Sequence, residues 1–197
     1  MSESQDIDAS RRNLIVASAT AGGAAAVGVA LPFAASMLPS ERAKALGAPV
    51  EADISGLQPG EMQIIEWRGK PVWILRRTKE MLDGIKKSGT SVSDPNSDVP
   101  LQPAYAKNEF RSIKQEVLVL EGVCSHLGCS PQFKGSDSKA EMGADWNGGF
   151  YCPCHGSKFD LAGRVYKGVP APVNLAVPPY AFVSETKIVI GDDRKGA

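Results

Sequence analysis

The chain has 197 residues, and its 22 Lys and Arg balance 22 Asp and Glu, so the formal net charge is zero. It carries no basic block of the kind that tracks phosphates, which excludes nucleic acid as an implied partner. The length allows one ordinary domain plus a tail.

Ser10, Arg11, Arg12, Asn13, Leu14 and Ile15 are similar to a twin-arginine export signal, a route that carries folded proteins. As a basic flank they also hold residues 1–12 on the cytoplasmic side. No charged residue occurs from Asn13 to Ser40, and residues 14–38 would span about 37 Å as a helix at 1.5 Å per residue. Residues 13–39 are therefore expected to form a single transmembrane anchor in the lipid bilayer. The segment is built on Ala and Gly, so it reads as a helix lying against other helices, with Pro32 kinking it or deflecting its last turns. A cleaved signal peptide ending near Ala43-Lys44-Ala45 would need a much shorter apolar stretch, about 7 to 15 residues.

Residues 40–50 turn polar, with Glu41, Arg42, Lys44, Gly47 and Pro49, and read as a linker without a strong fold of its own. Beyond it the signals are of strands and turns. Residues 62–67 and 70–76 form a hairpin around Arg68-Gly69, with Trp67 and Trp73 in the packing. A helix is expected over 78–87, with Thr78 as N-cap and Lys86 and Lys87 in the last turn. Residues 88–112, with Pro95, Pro100 and Pro103 and few apolar side chains, are expected to be a long surface loop. Strands follow at 116–120 and 148–151, each running into a short box, so that both boxes would sit side by side at one tip of a small sheet. A return hairpin over 159–166 and a last strand at 186–190 close the domain.

The boxes are Cys124-Ser125-His126-Leu127-Gly128-Cys129 and Cys152-Pro153-Cys154-His155-Gly156-Ser157, and they hold every cysteine and histidine of the chain. Each offers one thiolate and one imidazole within reach of a single metal centre, through Cys124 with His126 and Cys152 with His155. A structural zinc ion could use those four groups, but it would leave the second cysteine of each box without a purpose. A thioredoxin-like pair needs Cys-x-x-Cys, whereas the close pair here is Cys152-Pro153-Cys154. Iron–sulfur clusters are usually held by four thiolates, and in Rieske [2Fe-2S] centres two histidines replace two of them on one iron.

The pair C-x-H-x-G-C and C-P-C-H-G-S is similar to the signature of the Rieske iron–sulfur proteins of bacterial cytochrome bc1 complexes. The resemblance implies a mainly β fold of antiparallel sheets, with a cluster-binding subdomain over about 122–172 inside a periplasmic domain of residues 51–197. It implies one N-terminal transmembrane helix and a hinge over 40–50. By the same pattern Cys124 and Cys152 hold the inner iron of one [2Fe-2S] cluster, and His126 and His155 hold the outer iron. Cys129 and Cys154 form a disulfide between the two loops, and such bridges persist in the periplasm. Ser157 donates a hydrogen bond to a bridging sulfide, Leu127 belongs to the apolar tip at the cluster, and His155 has the catalytic role of meeting the quinol.

The function so implied is one-electron transfer from membrane quinol to cytochrome c1, with proton uptake at a ligand histidine. The partners are cytochrome b and cytochrome c1 in a dimeric complex, on the periplasmic side of the inner membrane. Alternatives are the small Rieske subunit of a periplasmic molybdenum oxidase and a Rieske ferredoxin. Two departures from the family pattern stand out. Phe159 occupies the position of a tyrosine that gives a second hydrogen bond to the cluster, which lowers the expected potential. Gly168-Val169-Pro170-Ala171-Pro172 carries one residue more than the family's Gly-Pro-Ala-Pro, which alters the expected cover of the cluster.

Overall fold

The structure, a computed structural model, describes residues 9–192, and the remaining parts of the N-terminal segment and of the C-terminus lie outside the described residues. The chain divides near Lys44 into an N-terminal unit and a folded domain. The first unit is dominated by α1 (Ala9–Ser36), which is long and apolar enough to cross a membrane by length and composition. It starts before Arg11 and Arg12 and continues through Pro32 to Ser36, ending three residues short of the expected boundary. Inside it, the hydroxyls of Ser18 and Thr20 donate back to the carbonyls of Leu14 and Val16. Polar groups satisfied within their own helix suit a segment surrounded by hydrocarbon.

The linker is not without structure. A short helix, α2 (Glu41–Leu46), occupies it, and the Ser40 hydroxyl accepts from Ala43 N at 3.2 Å. The signal was a serine N-cap before a stretch of good helix formers, Glu, Arg, Ala, Lys and Leu. The linker ends where the Trp67 indole Nε1 donates to Ala48 O at 3.2 Å, just before the first strand.

The domain contains three three-stranded antiparallel sheets. In the first, β1 (Val50–Asp53) pairs with β9 (Lys187–Ile190), which pairs with β8 (Tyr180–Phe182). In the second, β2 (Met62–Trp67) and β3 (Lys70–Arg76) form the expected hairpin, and β3 also pairs with β4 (Val117–Glu121). Arg68 and Gly69 both have positive φ, 52° and 71°, the turn whose twist matches the flanking strands. In the third, β6 (Gly149–Cys152) lies between β5 (Gln132–Lys134) and β7 (Ser157–Asp160). Strands β1, β5 and β8 add to the expected ones; at three or four residues each they carry little periodicity. α3 (Lys79–Ser88) is capped as expected, with Thr78 Oγ1 accepting from Met81 N.

Two expectations are corrected. The boxes hang from different sheets, the first from β4 and the second from β6. What brings them together is packing between those sheets: Trp73 of β3 stacks on Phe150 of β6 at 4.8 Å between ring centroids. Residues 88–112 are not simply a surface loop either. Ser97, Ala106, Arg111 and Ser112 within it are buried, and Val92 forms a β-bridge with Tyr166. Its few apolar residues concealed this, because polar side chains of this loop are buried against backbone acceptors elsewhere in the chain.

Candidate metal centre

The first box begins at the end of β4. Gly122 N donates to Pro71 O at 2.7 Å, and a Cβ at Gly122 would run into the Trp73 indole, so this position needs a glycine for close approach. Both boxes then fold as the same tight turn. Gly128 N donates to Cys124 O at 3.0 Å, and Gly156 N donates to Cys152 O at 2.9 Å. Gly128 (φ 84°) and Gly156 (φ 76°) sit in the left-handed region that other residues enter only at a cost. Each turn thus places a histidine two or three residues beyond a buried cysteine.

Cys124 and Cys152 are each 2 % exposed and carry free thiols. Burial is the main force raising the Cys124 thiol above its ordinary pKa; the adjacent Cys152 adds to it, while the His126 backbone N–H and the Ser157 hydroxyl oppose it. Without a cation Cys124 therefore favours the neutral thiol, and bound iron would supply the charge that makes thiolate favourable. The His126 and His155 rings face each other edge to face, 4.7 Å between centroids. His126 is half-buried, and its Nδ1 is buried without a hydrogen-bond partner. An unsatisfied buried ring nitrogen is costly unless something else, such as a metal, accepts its lone pair. His155 is exposed, and so is Leu127, at 71 %.

Cys129 and Cys154 form the disulfide. Cys152 Sγ lies within 4.8 Å of both bridge sulfurs, but bonded sulfurs offer no thiolate, so these three do not constitute a ligand set of their own. The remaining donors, two soft buried sulfurs and two imidazoles, fit a cluster with mixed sulfur and nitrogen ligation.

Further residues close the site from behind. Ser157 is fully buried and its Oγ accepts from Ala171 N at 3.0 Å, while Ser125 Oγ donates to Val173 O at 2.6 Å. These two bonds tie both boxes to the segment after Gly168, and the additional Val169 packs against the core. The segment that carries Val169 thus stays attached to both boxes. Phe159 is fully buried on β7, two residues after Ser157 and hence on the same face of the strand.

A family model for the Rieske [2Fe-2S] domain matches residues 49–180. The chain belongs to the Rieske iron–sulfur family. Relatives extend the likeness to nearly the whole chain. The ubiquinol-cytochrome c reductase iron-sulfur subunit of Allochromatium vinosum is 52% identical over 98% of this chain and 94% of that protein. The subunit of the same name from Blastochloris viridis is 42% identical over 97% and 98%, and that from Rhodospirillum rubrum 41% over 93% of each. The Rieske domain here therefore carries a [2Fe-2S] cluster, in an antiparallel fold with one apolar N-terminal helix.

Phe159 yields a direct prediction. A hydrogen-bond donor toward cluster sulfur stabilises the reduced state, and one such bond is worth about 1 kcal/mol, which is some tens of mV for one electron. Phe159→Tyr is expected to raise the midpoint potential by that amount in an EPR-monitored titration. An unchanged midpoint in a folded variant would mean that the added hydroxyl does not reach the cluster.

Proposed function

We propose that the chain is the electron-accepting subunit of a membrane quinol:cytochrome c oxidoreductase, held in the membrane by α1. The observation that carries this is the inward, unpartnered Nδ1 of His126 beside the exposed ring of His155. Cys124 and Cys152 would hold the inner iron, and His126 and His155 the outer one. When bound, the cluster supplies a one-electron acceptor.

The chain's own residues do the rest. His155, exposed at the tip, presents a ring nitrogen on which a quinol hydroxyl proton can be taken up; electron uptake nearby favours that proton. Leu127 offers an apolar contact for a hydrophobic rim on cytochrome b. Ser157, with its hydroxyl toward Cys124, biases the site to the reduced state. The linker, with α2 inside it, serves as the hinge between the quinol pocket and cytochrome c1, and the bond from Trp67 to Ala48 marks its domain end. In this reading residues 1–12 stay cytoplasmic and residues 51–197 are periplasmic, where the disulfide persists. The bridge and the apolar helix speak against a soluble ferredoxin.

The test is a redox titration of the full chain in membranes at several pH values, followed by EPR. A Rieske signal is expected, with a midpoint that falls on raising the pH past the histidine pKa, at about 59 mV per unit for one proton per electron. A midpoint independent of pH from neutrality to strongly alkaline conditions would overturn proton-coupled quinol oxidation at His155.

A further inference from the structure

Around the turn that leaves β7 lies a group of buried charges that the proposed function does not use. Among the described residues, the buried charged side chains are Arg77, Arg111, Arg164 and Asp160. Arg164 and Asp160 pair at 2.7 Å and cancel. Arg77 and Arg111 hydrogen-bond only to neutral acceptors. Arg77 donates to the carbonyls of Gln115, Phe110 and Leu161 and to Ser112 Oγ. Arg111 donates to the carbonyls of Ala162 and Gly163 and to Gln102 Oε1 at 3.0 Å, and its Nε has no partner.

Burying a cation without a carboxylate partner is expensive, so two such cations in one small domain call for a reason. Part of it is local. Together the three arginines hold Asp160 and the carbonyls of Leu161, Ala162 and Gly163, the turn that leaves β7, whose other end is Ser157. That role requires donors, but not uncompensated charge. Burial lowers both guanidinium groups to about 10, so both stay charged at neutral pH. Asp160 works against that lowering in both, but it is one carboxylate shared among three arginines; Asp94 beside Arg111 is half-buried and Glu116 beside Arg77 exposed, where water weakens their effect.

We propose that Arg111, seconded by Arg77, is a positioning and redox-tuning cation: three buried arginines share one buried carboxylate, and the excess positive charge attracts the electron taken up by the cluster and so raises the midpoint potential. Arg111 Nη1 and the side chain of Leu120 both crowd the space that a Cβ on Gly163 would occupy, and Leu120 lies four residues before Cys124 in the strand that feeds the first box. At about 3.4 Å per residue the guanidinium is within about 20 Å of the site. At an effective dielectric of about 20, a unit charge at that distance changes the reduction equilibrium about fourfold, or about 35 mV at 59 mV per tenfold for one electron.

The proposal rests on the ligand assignment above, and the test separates the two. Membranes containing the full chain are titrated by EPR, and cluster bleaching is followed on heating. Arg111→Met is expected to lower the midpoint about fourfold in equilibrium terms, whereas Arg111→Lys, which keeps the charge and loses the planar fork, lowers the bleaching temperature but leaves the midpoint near wild type. Should Arg111→Met fail to fold, Gln102→Glu decides: it sets a carboxylate against the guanidinium, and the midpoint is expected to fall. A midpoint unmoved in Gln102→Glu, or lowered equally in Arg111→Lys and Arg111→Met, would overturn the electrostatic role and leave only a structural one. Absence of a Rieske signal in wild-type membranes would overturn the ligand assignment, and this proposal with it.

Discussion

Cys152→Ser is expected to abolish both the Rieske EPR signal and quinol:cytochrome c activity, while the chain stays in the membrane through α1. The serine hydroxyl is a hard donor that does not ionise near neutral pH, so it cannot replace a thiolate on iron. The site has no spare sulfur to offer, since Cys124 is already one of the proposed ligands and Cys129 and Cys154 are bonded to each other. The loss extends to stability, because the free energy of metal ligation is also folding free energy for the segments that supply the ligands. Heating followed by circular dichroism should therefore show the variant unfolding below the loaded wild type. A variant that kept a Rieske signal of normal intensity would remove Cys152 from the ligand set.

Breaking the bridge is expected to act differently. Cys129→Ser and Cys154→Ser leave all four proposed ligands in place, and each box keeps its own turn through the Gly128 and Gly156 hydrogen bonds. What is lost is the tie between the loops. The bridge joins residues 25 apart, for which the chain-entropy argument gives about 3.5 kcal/mol. The cluster should form at low temperature but bleach at a clearly lower temperature or denaturant concentration than in wild type. Both single variants and the double variant should behave alike, because each removes the same bond. Bleaching curves that coincide with wild type would show that the bridge has no structural role.

The two expectations differ in kind because the centre is assembled on two levels. Each turn is local and is governed by one glycine in the left-handed region four residues after its cysteine. The meeting of the turns is not local. It depends on Trp73 stacking on Phe150 and on the space that Gly122 leaves for the indole. The linker shows the same division at smaller scale. Its polar composition suggests a linker, while Ser40 and the helix formers after it carry the local signal of α2.

The sequence by itself determined the two boxes that hold every cysteine and histidine, the apolar span and the strands longer than four residues, because these depend on residue type and on spacing within a few positions, whereas the pairing of Cys129 with Cys154 came from the family resemblance. Only the tertiary structure decided that the boxes hang from two sheets, that Val169 packs half-buried against the core, and that residues 88–112 deliver a buried cation. Arg111 bonds to carbonyls 51 and 52 residues away, and Arg77 to one 84 residues away. Satisfying a buried guanidinium is a condition on distant backbone acceptors, and such a condition leaves no periodic trace in the local sequence.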